Sequence, residues 1–201
     1  SGLNITIPFK QEVISHLLEI SDEAKVIGAV NTLLRINGGY KGYNTDVYGI
    51  KTALEKADID INKKDIVLLG AGGAAKAVLY VCAKEGVESV SLISRGINKA
   101  KVLCESIKAS FLDIKLNFIK LSELDAKGSI NEYLPKNDYI AFQASPVGMH
   151  PNVDKAIIEC KDFYDKCEAG MDLVYNPAQT KFMQYFIDDN KKVINGLDML
   201  I

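Results

Sequence analysis

The apolar positions change period several times along the chain. Residues 3–9 alternate apolar and polar, which predicts a strand ending at Pro8. Residues 11–20 place Val13, Ile14, Leu17 and Leu18 at helical spacing. Residues 30–36, the run Asn37-Gly38-Gly39 and residues 40–43 predict a β-hairpin with a glycine-rich turn. An amphipathic helix is expected over 47–57. The continuous apolar run at 65–69 then predicts a strand buried on both faces, the kind found in parallel sheets. Further strands are expected at 89–93, 116–119, 139–143 and 171–174, with helices at 74–84, 99–108 and 130–134 between several of them. Such alternation argues for an α/β fold with a doubly wound parallel sheet. Near the end, Phe182, Met183, Phe186 and Ile187 share one face of a helix expected over 180–189, and 191–194 is expected as an edge strand.

Composition narrows the picture without redirecting it. The 201 residues are 48% apolar and 25% charged, and 24 Lys and Arg against 26 Asp and Glu leave a net charge of −2. A near-neutral balance gives no basic field for nucleic acid and no polybasic patch for a membrane. No apolar run approaches the ~18 residues of a spanning helix, and no charged-then-apolar leader opens the chain. The four cysteines form no CxxC pair and the two histidines, His16 and His150, lie far apart, so no metal site is expected. Reduced thiols and a cytoplasmic setting are the expectation. Both ends, Ser1-Gly2 and Met199-Leu200-Ile201, read as cut.

One motif carries specific chemistry. Gly70-Ala71-Gly72-Gly73-Ala74-Ala75 fits G-x-G-x-x-[GA] and lies between the strand at 65–69 and the helix at 74–84, the context a Rossmann-type dinucleotide site requires. Gly70 permits the tight turn, Gly72 lets the backbone approach a pyrophosphate, and Ala75 allows close helix–strand packing. The helix start at Gly73-Ala74 offers its amides and dipole. A glycine-rich connector without ligand is the plain alternative. After the next strand, NAD sites place an acid for the ribose 2′-hydroxyl. Here the sequence reads Ser94-Arg95-Gly96-Ile97-Asn98-Lys99, with no acid. An arginine can hold a 2′-phosphate bidentately where a carboxylate would repel it, which favours NADP over NAD. A surface arginine is the alternative.

Polar residues also cluster outside that motif. Asn4 and Thr6 share one side of the first expected strand, followed by Lys10. Gly28-Ala29-Val30-Asn31-Thr32 and Gly42-Tyr43-Asn44-Thr45-Asp46 are small and polar within apolar surroundings, and turn chemistry alone would account for them. Taken with Asn4-Ile5-Thr6-Ile7-Pro8-Phe9-Lys10, the cradle, Ser145-Pro146-Val147-Gly148-Met149, Asp172-Leu173-Val174-Tyr175-Asn176-Pro177 and Asn195-Gly196-Leu197-Asp198-Met199-Leu200, they run in one order along the chain. In that order they resemble the shikimate dehydrogenase family.

The resemblance implies an oxidoreductase that uses NADP to reduce 3-dehydroshikimate reversibly to shikimate, on the route to aromatic amino acids. It implies Lys10 and Asp46 as the catalytic pair, with Thr6, Asn31 and Tyr175 as substrate contacts. Cofactor contacts are implied at Gly70, Gly72, Gly73, Ala74, Ala75, Ser94, Arg95, Lys99, Ser145 and Gly196. Residues 1–45 and 196–201 are expected as a partial α/β substrate-binding lobe, and 46–195 as the dinucleotide domain. The family's amino-terminal paired serines and the glutamine after its Met-Leu have no counterpart in the chain, so an incomplete pocket is expected. Quinate/shikimate dehydrogenase with broader substrate or NAD use, and a non-catalytic relative, are the competing readings. A monomer or homodimer is expected, with no nucleic-acid or membrane partner.

Overall fold

The computed structural model describes residues 1–6, 8–124 and 129–200. The chain begins with a small mixed sheet. Its strands are β1 (Gly2–Asn4), β2 (Glu19–Ile20), β3 (Thr32–Ile36) and β4 (Gly39–Tyr43), in the order β1-β3-β4-β2. The β3–β4 hairpin is antiparallel with Ile36 opposite Gly39, while β2 runs parallel to β4. A short 3-10 helix (Glu12–His16) and helix α1 (Asp22–Ile27) flank β2. Ala24, Val30 and Leu33 form the core of this lobe, with Ile14, Leu17 and Ile20 against them.

Two sequence expectations fail in this lobe. The first strand stops at Asn4, and residues 8–10 form a turn. The helix expected over 11–20 is only the 3-10 segment, because the backbone leaves the helix to pair with β4. The Leu18 amide donates to the Tyr40 carbonyl (3.1 Å) and the Ser21 amide to that of Gly42 (2.9 Å). Tertiary pairing here overrides a local helical period. Helix α1 was not foreseen, although its sequence announces it. Ser21 accepts from the Ala24 amide at 3.4 Å as an N-cap, and Gly28 ends the helix at φ +66°.

Helix α2 (Asp46–Lys56) leads into the large sheet. Five strands form its body: β5 (Asp65–Leu69), β6 (Ser89–Ser94), β7 (Lys115–Lys120), β8 (Tyr139–Gln143) and β9 (Cys167–Asp172). β10 (Lys192–Asn195) forms one edge. All pairs are parallel, in the order β10-β9-β8-β5-β6-β7. The strand order reverses between β5 and β8, the switch point at which ligands bind in open α/β sheets. On β5, Ile66 and Leu68 face one helix layer while Val67 and Leu69 face the other. That two-sided burial is why the strand reads as an unbroken apolar run.

Helices α2, α3 (Gly73–Glu85) and α4 (Ile97–Lys108) cover the first face through Ile50, Ala53, Val78, Leu79 and Leu103. Helices α5 (Ser129–Tyr133), α6 (Lys161–Asp165) and α7 (Lys181–Asp188) cover the second through Ile130, Phe163, Tyr164, Phe182 and Phe186. Strand β9 starts four residues before the expected 171–174 and ends at Asp172, two residues before its expected end. Its first half, Cys167-Glu168-Ala169-Gly170, lacks a branched apolar run. Gly170 is required there, since a Cβ would lie 2.8 Å from the Phe186 ring. The final 3-10 turn (Gly196–Met199) lies along α2, so close that a Cβ on Gly49 would meet the Met199 carbonyl.

Candidate active site

Lys10 sits in the turn after β1, and backbone hydrogen bonds fix that turn to the chain entering β3. The Phe9 amide donates to the Thr6 carbonyl (2.9 Å), the Ile5 amide to Asn31 (2.7 Å) and the Val30 amide to Lys10 (2.8 Å). Asp46 is the first residue of α2, where the helix dipole favours a carboxylate. Buried Asn44 places it: its Nδ2 donates to the Ala29 carbonyl (3.1 Å) and its Oδ1 accepts from the Asp46 amide (3.1 Å).

These supports bring three expected site residues together. Lys10 Nζ donates to Asp46 Oδ2 at 3.0 Å, in a half-buried ion pair. Asn31 Nδ2 donates to Asp46 Oδ1 at 2.8 Å. The Asn31 Oδ1 in turn accepts from the Thr45 amide (2.9 Å), the Thr45 hydroxyl (3.1 Å) and the Thr32 hydroxyl (3.0 Å). Asn31 therefore keeps one N–H for a ligand and spends the rest of its amide orienting Asp46. Thr6 is exposed, and its carbonyl accepts from the Phe9 amide in the turn that carries Lys10. Tyr175 is exposed on the loop after β9.

The cradle has a different character. Gly70 adopts φ +111°, and a Cβ there would come within 3.0 Å of the Ala144 carbonyl, so both the turn and its proximity to the next loop require glycine. Gly72 is the N-cap of the thirteen-residue α3 and provides no side-chain cap. A Cβ on Gly72 or Gly73 would meet nothing within 4 Å, which leaves the helix amides facing open space. Ala75 is fully buried between helix and sheet, and Ala74 is half-buried. A pyrophosphate fits this arrangement of room, bare amides and positive dipole. The first turn of α3 also reaches the end of α1, since a Cβ on Gly28 would lie 3.6 Å from Lys76 Nζ.

Around the cradle, Ser94 Oγ donates to the Gly96 carbonyl (3.1 Å) and shapes the turn after β6. Arg95 is exposed and makes no ion pair among the described residues. The Lys99 side chain lies outside the described residues. Ser145 is engaged within its own loop, donating to Gln143 Oε1 (3.1 Å) and accepting from the Val147 amide (3.2 Å). At Gly196 a Cβ would run into the Leu173 carbonyl, so the glycine serves close packing there. Among the described residues no group of three His, Cys, Asp or Glu is arranged to hold a metal.

Sequence reasoning missed Asn44, Gln143, Asp172 and Thr180 as site-building residues. All four are buried and polar. Gln143 and Asp172 end adjacent strands in register with each other. For Gln143, a lone polar residue closing the apolar strand β8, that pattern is the signal that was available.

The family model described as shikimate dehydrogenase substrate binding domain matches residues 1–33. The shikimate dehydrogenase (NADP(+)) of Caldanaerobacter subterraneus subsp. tengcongensis is 38% identical over 200 residues, which cover 100% of this chain and 68% of that protein. The chain belongs to the shikimate dehydrogenase family. Solved structures of family members superpose along its whole length. Shikimate 5-dehydrogenase from Listeria monocytogenes, in complex with shikimate and NAD, matches with a TM-score of 0.88 at 28% identity, over 99% of this chain and 68% of that one. The Thermus thermophilus enzyme in complex with NADP(H) and shikimate matches with a TM-score of 0.79 at 30% identity, again over 99% and 68%.

Proposed function

We propose that the protein catalyses the NADP-dependent, reversible reduction of 3-dehydroshikimate to shikimate, with Lys10 and Asp46 as the catalytic pair. The observation that carries this reading is the 3.0 Å Lys10–Asp46 contact, held from both sides by Asn31 and Asn44 in a member of this family. Oxidising a secondary alcohol separates a hydride from carbon and a proton from oxygen, so a side chain must manage the proton. Lys10, as ammonium, donates to the ketone oxygen as negative charge develops on it and takes the proton back in the reverse direction. Asp46 fixes the direction of that ammonium and accepts from a neighbouring substrate hydroxyl. Thr6 and the remaining Asn31 N–H bind further hydroxyls, and Tyr175 lies toward the substrate carboxylate. Preorganised donors and acceptors of this kind lower the barrier without rearranging during the reaction.

NADP, when bound, supplies or accepts the hydride. Gly70, Gly72, Gly73, Ala74 and Ala75 form the seat for its pyrophosphate, and Ser145 and Gly196 shape the adjoining loops. Ser94, Arg95 and Lys99 are the residues assigned to its 2′-phosphate, with Arg95 as the bidentate partner. Residues 1–45 with 196–201 act as the substrate lobe and 46–195 as the dinucleotide domain. A cytoplasmic setting and a monomeric or homodimeric state complete the proposal, and the four unpaired thiols fit a reducing compartment.

A spectrophotometric assay of NADPH consumption with 3-dehydroshikimate, and of NADP reduction with shikimate and with quinate, tests the activity. Absence of turnover with every substrate overturns it. Arg95→Ala is expected to raise the KM for NADPH roughly 10–100-fold while leaving that for NADH unchanged. An equal effect on both cofactors removes Arg95 from the phosphate site.

A further inference from the structure

Asp172, the last residue of β9, is a fully buried acid at the carboxyl edge of the strand. Both of its oxygens are used. The Val174 amide donates to Oδ1 at 2.9 Å, and the Thr180 hydroxyl donates to Oδ2 at 2.5 Å. Those two partners stand at the two ends of the loop that carries Tyr175, so one carboxylate closes the base of that loop.

The Thr180 hydroxyl also has a second task. It accepts from the Met183 amide at 3.3 Å, capping α7. A carboxylate can only accept, so it draws the hydroxyl proton toward itself and leaves a lone pair for Met183. A protonated acid or an amide at position 172 presents a donor instead and disturbs that direction. The surroundings add packing but no compensating charge. Gly148 approaches Thr180, with its Cβ position 3.3 Å from the Thr180 side chain, and the Leu173 amide donates to the Gln143 carbonyl at 2.9 Å. The Gly196 amide donates to the Val174 carbonyl at 3.1 Å. Among the described residues no cation pairs with Asp172, and its titratable neighbour is the buried Tyr164 phenol.

We propose that Asp172 is the positioning residue of the Tyr175 loop, holding Val174 and Thr180 in their working arrangement. The inference deepens the proposed activity, and only its kinetic arm rests on that reading. Burial raises the Asp172 carboxyl to about 6, against the opposing pull of the Thr180 and Val174 hydrogen bonds. The Val174 amide and the Thr180 hydroxyl, both donating to this carboxyl, therefore change their environment as pH crosses that value.

Two measurements on wild type, Asp172→Asn, Thr180→Val and Thr180→Ser test this. In the first, the Val174 amide resonance is followed from pH 5 to 8. It is expected to titrate with a midpoint near 6 in wild type and to stay flat in Asp172→Asn. In the second, the KM for shikimate at pH 8 is expected to rise roughly 3–10-fold in Asp172→Asn and Thr180→Val, with kcat nearly unchanged and Thr180→Ser restoring the wild-type value. A Val174 resonance that does not titrate, an unchanged KM in Asp172→Asn, or a Thr180→Ser variant as impaired as Thr180→Val overturns the proposal. A wild-type enzyme without turnover overturns the proposed function instead, and the Val174 titration then decides the loop by itself.

Discussion

Two helices of this protein begin in opposite conditions. The first residue of α2 is Asp46, so its positive end meets a carboxylate from the chain itself, which is also bound by Lys10 and Asn31. Helix α3 begins at glycine with no side-chain cap and open space before it. The same dipole is used internally at one site and left for an outside anion at the other. The Lys10–Asp46–Asn31 cluster is consequently assembled by the chain itself, whereas the helix start at Gly72 is left open. Lys10, Asp46 and Asn31 hydrogen-bond to one another; Gly72 adds no side-chain cap, and Arg95 makes no ion pair among the described residues.

The largest test of this contrast removes the internal cation. Lys10→Ala is expected to lower kcat by roughly 10²–10⁴ with a modest change in KM; a kcat near wild type excludes Lys10 as the proton carrier.

The next test concerns a carboxylate that has neither a helix start nor a cation. Asp172 is raised from 3.8 to about 6. Its folded value exceeds its unfolded one, so its contribution to stability is greatest below the unfolded value and is lost as pH rises through about 6. Across the whole titration that amounts to about 3 kcal/mol. Denaturant unfolding of wild type against Asp172→Asn should therefore show wild type losing ground as pH rises from 4 to 8. A constant difference between the two proteins contradicts the raised value.

A third test gives α3 the condition of α2. Gly72 has φ −91° and open space at its Cβ, so Gly72→Asp fits without strain and sets a carboxylate at the proposed pyrophosphate seat. The KM for NADPH should rise roughly 10–100-fold with thermal stability unchanged or higher. An unchanged KM would separate the cradle from cofactor binding. The smallest effect is expected at α1, whose cap is purely structural. Ser21→Ala should cost about 1 kcal/mol by thermal unfolding and leave the kinetics alone.

The large sheet was legible in the sequence because its signals are local. Strand β5 is buried on both faces and therefore uniformly apolar, and the glycines of the cradle answer to one turn. The small lobe was not. Residues 17–21 pair with β4, some twenty positions further on, and nothing in their own spacing reveals that partner. For the site, the family resemblance implied Lys10, Asp46 and Asn31, while their residue types alone read as a surface lysine and turn chemistry. Their meeting depends on hydrogen bonds across the β3–β4 hairpin and on Asn44, which reads from sequence as an ordinary turn residue. Asp172 and Gln143 stayed hidden because their significance lies in the register of β8 against β9, and no single strand carries that information.

The reversal of strand order at β5 also sets a timetable for folding. Strand β5 pairs with β6 through the short α3 crossover, but its other edge waits for β8, where Leu69 meets Gln143. Loop closure over that span costs entropy that the local β5–α3–β6 unit does not incur, and contacts of high sequence separation slow folding. During synthesis, half of the sheet can form around the cradle while β5 still presents an unpaired edge. The crevice is finished only after residues 139–172 emerge, so the slowest contacts to form and the place where chemistry is proposed to occur coincide.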